Sequence, residues 1–198
     1  MKKFLVPIGV VLAVVIFLAM LIMPKYNSFV QLDETVNQKE SQIETQLQRR
    51  GDLIPNLVET VKGYASHEKE VFEDVADARA RLAGAEGVSE LSEANDEMTG
   101  ALSRLLAVAE NYPDLKASEQ FTGLRDELAG AENRIATARK DYNEAVEEYN
   151  RQTRLFPGNI IAGVFNFEKK PYFEASEDAK EVPGVDFNTN QEDNSGDE

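Results

Sequence analysis

The chain has no cysteine, no tryptophan and a single histidine in 198 residues. Without cysteine there is no disulfide, no thiolate metal site and no lipid attached at a thiol. The one histidine, His67, stands in HEKE and so makes no H-E-x-x-H zinc pair. A di-iron bundle needs Glu-x-x-His on two helices, and here the residue three before His67 is Tyr64. Glycine-rich phosphate loops and nucleophile elbows are missing as well. Basic residues are few beside the acidic ones, 21 against 36, for a net charge of -15. Such a surface repels phosphate backbones, which argues against nucleic-acid binding and reads as a solvated exterior. These absences leave no catalytic residue, cofactor site or metal ligand to nominate, and enzyme activity is not expected.

One long apolar run is present. From Phe4 to Met23 no side chain is charged, and an α-helix needs ~20 such residues to cross a bilayer. Signal-peptide cores are shorter, about 7–15 residues, and end in a small-x-small cleavage site. LAMLIMPK offers no Ala-x-Ala, so residues 1–25 read as a retained single-pass anchor whose partner is the lipid bilayer through residues 4–23. Lys2, Lys3 and the amino terminus lie before the run and Lys25 after it. Counted by the positive-inside rule, this favours an exoplasmic body by one lysine, with a cytoplasmic body as the alternative.

Residues 26–156 almost lack strand signals, and their apolar residues recur at alternating three- and four-residue steps. Four ladders are legible. The first is Phe29, Leu32, Val36, Glu40, Ile43, Leu47, and the second runs Ile54, Leu57, Val61, Tyr64, Glu68, Val71, Val75, Ala78, Leu82. The third is Leu91, Asn95, Met98, Leu102, Leu105, Ala109, Tyr112, with Asn95 its polar step. The fourth is Phe121, Leu128, Ala131, Ile135, Ala138, Tyr142, Ala145, Tyr149, with Leu124 between the first two. Seams this regular predict an all-α, antiparallel four-helix bundle with coiled-coil packing. Breaks are expected at Gly84–Gly87 with Ser89 as a cap, at Asn111–Asp114 with Ser118 as a cap, and at Phe156–Asn159.

The first break is set by RRGDLIPN. Arg49 and Arg50 suit a helix C-terminus, Gly51 a left-handed C′ position, Asp52 an N-cap and Pro55 a first turn. This predicts a tight helix-helix turn, with Arg49, Arg50, Asp52, Pro55 and Asn56 as a structural turn or interaction site. A continuous helix is the competing reading, because the 3-4 phase runs unbroken through Arg50 and Ile54. The Arg50-Gly51-Asp52 tripeptide also spells an integrin motif, but three-residue matches are common by chance. Glu40 and Glu68 interrupt their seams, and a glutamate near a helix end reaches water readily. Tyr142-Asn143 and Tyr149-Asn150 stand one heptad apart. The tyrosines read as core residues with a hydroxyl at the rim, and the asparagines as polar groups that bond across helices and fix register. Val58, Ala65 and Phe72 are surplus apolar residues beside the seams, which suggests a homo-oligomer.

QLQRRGDLIPNLVETVKGYASHEKEV, ARKDYNEAVEEYN and FPGNIIAGVFNFEKKPYFE, behind an N-terminal anchor, resemble the LemA family from Tyr26 to about Phe187. The resemblance implies a bacterial membrane protein with an antiparallel helical bundle behind a transmembrane helix. It also implies that position 51 need not be glycine, and it brings no reaction and no catalytic residue. Residues 157–187 leave the helical pattern and read as an irregular segment, which on the resemblance is expected to pack back along the bundle, whereas the acidic, aromatic-free residues 188–198 read as disordered. Together these readings predict a membrane-anchored scaffold that meets another membrane or envelope protein, with a ligand-sensing or regulatory module as the alternative.

Overall fold

A computed structural model describes residues 2–174, and the end of the 157–187 segment and the acidic tail lie outside the described residues. Among the described residues there are six helices and no strand. They are α1 (Lys2–Lys62), α2 (Lys69–Gly84), α3 (Gly87–Ala109), α4 (Pro113–Lys116), α5 (Glu119–Arg154) and α6 (Gly158–Phe165). The C-terminal segment, expected to be irregular, thus begins with a helix, α6, and only residues 167–174 run extended.

The turn expected at residues 49–52 is not there. α1 is one helix of 61 residues, ~92 Å long at 1.5 Å per residue. Arg50, Ile54, Leu57 and Val61 all face the core, 0–4 % exposed. Their unbroken phase holds the helix together across Gly51 and Pro55. The interruption has a local remedy. Pro55 has no amide to give the carbonyl four residues earlier, and that carbonyl, on Gly51, instead accepts Arg79 Nε at 3.1 Å.

The chain reverses instead at Gly63–Glu68, inside the stretch expected to continue the second helix. There the amides of Tyr64 and Ala65 both donate to the Val61 carbonyl. The phase shifts accordingly: Tyr64 is 47 % exposed, and Ala65 takes the core position. Glu68 becomes the N-cap residue of α2, and Phe72 is buried in preference to Val71. Ala65 and Phe72, proposed above as self-association surface, are therefore core residues, and Val58 is only half-exposed. At the next break the N-cap of α3 is Glu86, not Ser89; the Glu86 amide donates to Glu90 Oε2 at 2.9 Å. Ser118 does cap α5, accepting from the Phe121 amide.

Successive long helices pack antiparallel. α5 runs back along α1, with Phe29 edge-on to Tyr149 at 6.5 Å, Lys39 paired to Asp141 at 2.9 Å and Arg50 to Glu132 at 3.1 Å. α2 and α3 form a hairpin, tied outside by Arg104–Asp74 at 3.2 Å and by Arg81–Glu97. The hairpin covers the second half of α1, and a single core cluster spans from Val36 to Phe173. The N-terminal part of α1 stands apart: its most apolar 18-residue window has a mean hydropathy of 2.6 and none of it is buried against protein. It is long and apolar enough to cross a bilayer, which supports a membrane location.

Candidate functional site

The predicted site residues form two groups, and the first, on α1, is split between opposite faces of that helix. Arg49, Asp52, Pro55 and Asn56 are exposed on α1, and spacings of three and four residues bring 49, 52 and 56 onto one stripe. Arg50 points the other way and is 4 % exposed. Its Nη1 donates to Asn95 Oδ1 at 2.8 Å and lies 3.1 Å from Glu132 Oε2, while Nη2 donates to Thr99 Oγ at 3.0 Å. One guanidinium thus joins α1, α3 and α5. Burial pulls the Arg50 pKa below its usual range, and the carboxylates of Glu132 and Asp96 push it back up. Asp96, beside this cluster, is raised above the ordinary carboxylate range by burial. Arg50 is buried, so the Arg50-Gly51-Asp52 triplet is not presented to a receptor. Asn95, the polar step of its ladder, is 1 % exposed and is explained by this contact. Thr99 and Glu132 were not nominated from the sequence. An arginine on the inward phase of α1 facing a polar step on another ladder was the available signal.

Beside the exposed stripe lies a cleft of about 340 Å³ between α1 and the α2–α3 hairpin, with Gln48, Asp52, Arg79, Leu82 and Leu91 in its wall. Among the described residues, no three histidine, aspartate or glutamate side chains come close enough to hold a metal ion.

The second group is on α5. Tyr142 and Tyr149 are each 1 % exposed. Burial raises the phenol pKa of both, with Glu40 adding to it at Tyr142 and Asp33 at Tyr149. The adjoining asparagines, expected to bond between helices, hold the C-terminal segment instead. Asn150 donates to the Lys170 carbonyl and accepts the Lys170 amide, both at 2.9 Å. Asn143 does the same to Phe173, at 3.0 and 2.9 Å. The spacing has a geometric reason. One heptad of helix rises ~10.5 Å, close to the ~10 Å covered by the three extended steps from Lys170 to Phe173. Tyr142 Oη adds a bond to the Pro171 carbonyl at 2.9 Å, and Arg139 and Ser92 both donate to the Glu174 carbonyl. Lys170 crosses to α1, 2.8 Å from Asp33. The segment is thus strapped to α5 by backbone bonding to side chains, which a search for helical periodicity does not reveal.

The signature split across α1 and the strap on α5 lie in a region that matches the family model for LemA over residues 39–187. The chain belongs to the LemA family. Magnetosome protein MamQ 2 of Paramagnetospirillum magneticum is 32 % identical, over 83 % of this chain and 70 % of that protein. Magnetosome protein MamQ of Magnetospirillum gryphiswaldense is 28 % identical over 82 % and 69 %, and Protein LemA of Metamycoplasma hominis 24 % over 83 % and 74 %. None of these three relatives is named for a reaction.

Proposed function

We propose that this LemA protein is a non-enzymatic, membrane-anchored scaffold that presents the exposed stripe of α1 to another membrane or envelope protein. The continuity of α1 carries this reading. The apolar span and the central bundle helix are one element, so there is no flexible linker between bilayer and bundle. The stripe stands ~44 Å along the axis from Met23 to Asp52, at 1.5 Å per residue. Arg50 locks the inner face of the same segment to two other helices, leaving Arg49, Asp52 and Asn56 rigidly displayed. Rigid display lowers the ordering cost of association. The excess of one lysine before the span supports an exoplasmic body, with a cytoplasmic body as the alternative.

In-cell crosslinking from a photoreactive residue at Asn56 tests this directly. One dominant heterologous partner is the expected product; crosslinks only between copies of this chain would replace the scaffold with a homo-oligomeric structural role. The cleft beside Gly51 and Asp52 supports a second reading, a ligand-sensing module for a membrane or envelope enzyme. A ligand held there raises the melting temperature by mass action, and Arg79→Ala would remove that rise. The single cysteine of Asn56→Cys, labelled with a membrane-impermeant thiol reagent in intact cells, reads the side of the body.

A further inference from the structure

α6, GNIIAGVF, carries no charge, yet only one of its faces is packed. Gly158, Ile161 and Ala162 are buried against Phe29 of α1 and the end of α5. Close approach is enforced at Gly158, where a Cβ would run into the Gln152 carbonyl oxygen and lie 3.2 Å from the Phe29 ring. The opposite face is open: Phe156 is 79 %, Ile160 57 % and Val164 72 % exposed, while the Phe165 ring, 46 % exposed, lies tilted against Tyr26 with centroids 4.9 Å apart. Four large apolar side chains in water are costly, at roughly 25 cal/mol per Å² of surface that could be buried.

The position of α6 says what covers them. Tyr26 and Phe29, its partners on α1, lie three and six residues past Met23, the last residue of the apolar run, which is ~4.5 and ~9 Å along the helix. The interfacial layer of a bilayer extends roughly 5–8 Å beyond each side of its hydrocarbon core, and amphipathic helices settle at that depth. Tyr26 is an aromatic residue of the type that favours the headgroup level. Lys25, Arg154 and Lys169 flank the patch and are exposed, so their heads can reach phosphates while their stems cover apolar surface.

We infer that α6 and the Leu155–Pro157 turn form a second membrane contact, lying in the interface of the same bilayer that α1 crosses, with Phe156, Ile160 and Val164 inserted at the acyl-chain boundary. The inference rests on the reading of residues 4–23 as a bilayer span and adds to it a lipid-facing foot on the bundle. Two contacts, one across the bilayer and one in its surface, fix the tilt and rotation of the bundle, whereas a lone helix fixes neither. The strap over residues 167–174 follows α6 directly and is bonded to α5, so both ends of α6 are held by the bundle.

The absence of native cysteine permits a clean test with the full-length protein. Single variants Phe156→Cys and Val164→Cys carry an environment-sensitive fluorophore in phosphatidylcholine vesicles. The vesicle lipids carry doxyl groups near the headgroup end or near the terminal methyl of the acyl chain. Phe17→Cys reports the span and Asn111→Cys the far end of the bundle. The expected result is several-fold quenching at 156 and 164 by the shallow doxyl, less by the deep one, and none at 111. Quenching at 17 with none at 156 and 164 would overturn the inference and leave the anchor standing. Loss of quenching at 17 as well would show that the span itself is absent. Shielding of 164 from lipid and from aqueous iodide together, with disulfides between Val164→Cys chains, would assign the patch to a second copy and also overturn it.

Discussion

At the scale of single residues, the neighbours Arg49 and Arg50 have the same side chain and opposite situations. Arg50 is buried with three partners on two helices, and Arg49 is exposed. Removing Arg50 opens a cavity and leaves the buried Asn95 side chain without its partner, a cost of about 1–3 kcal/mol, while Glu132, 46 % exposed, returns to water. Arg50→Ala is therefore expected to lower stability by about that amount in urea unfolding, and Arg49→Ala to stay within ~0.5 kcal/mol. Equal effects would contradict the division of the signature into an inner and an outer face. Glu40 gives a pH-dependent prediction. Its pKa is raised from 4.5 by burial first and by Glu44 second, with Lys170 opposing. A carboxyl with a folded pKa above its unfolded one is held protonated more strongly by the native state. Its ionisation thus costs stability as pH rises through that window, and the cost is absent below the unfolded value. Glu40→Gln is expected to raise the melting temperature at neutral pH, with the gain shrinking as pH falls toward 4.5. A gain that is constant with pH would refute this account.

At the scale of elements, the α1 helix survives a glycine and a proline in its interior because its inward phase is intact and Arg79 serves the carbonyl that Pro55 leaves free. Pro55→Ala restores that amide, and helix propensity alone favours it by up to about 3 kcal/mol. The cost of Arg79→Ala should fall in the Pro55→Ala background, by at least ~0.5 kcal/mol in a double-mutant cycle. Additive effects would show that the contact does not substitute for the missing bond. On α5, Asn150→Ala removes both bonds to Lys170. Exchange of the amides in 167–174 is expected to accelerate, while amides in the middle of α5 keep their protection; unchanged exchange would mean that the strap is held elsewhere.

Much of this was legible beforehand. Most residues of the ladders on α3 and α5 are buried and Ser118 caps α5, but Tyr112, Leu124 and Ala145 are only half-buried and Val146 takes the core place read for Ala145. The turn at Gly51 was misplaced because Gly, Asp and Pro each have a strong local meaning, while the decisive terms were tertiary: the core positions of Arg50, Ile54 and Leu57, and a bond from a residue 28 positions away. The true reversal at Gly63–Glu68 was masked because its residues fit the helical period in one dimension. Nor does any periodicity encode the strap, whose register comes from two asparagine side chains reading an extended backbone.

At the scale of the whole molecule, a single helix joins the apolar N-terminal segment to the bundle. With the apolar segment in a bilayer, as proposed, such a helix would transmit position without a hinge, and the bilayer would set the height and orientation of the stripe around Asp52. Spin labels at Lys25→Cys and Lys62→Cys, both exposed on α1, measure this directly in lipid nanodiscs by pulsed dipolar spectroscopy. A continuous helix puts the two sites ~56 Å apart, at 1.5 Å per residue, in a narrow distribution. If the chain instead folded back at Gly51, the remaining offset would be ~20–25 Å by the same rise, and that result would contradict the central claim.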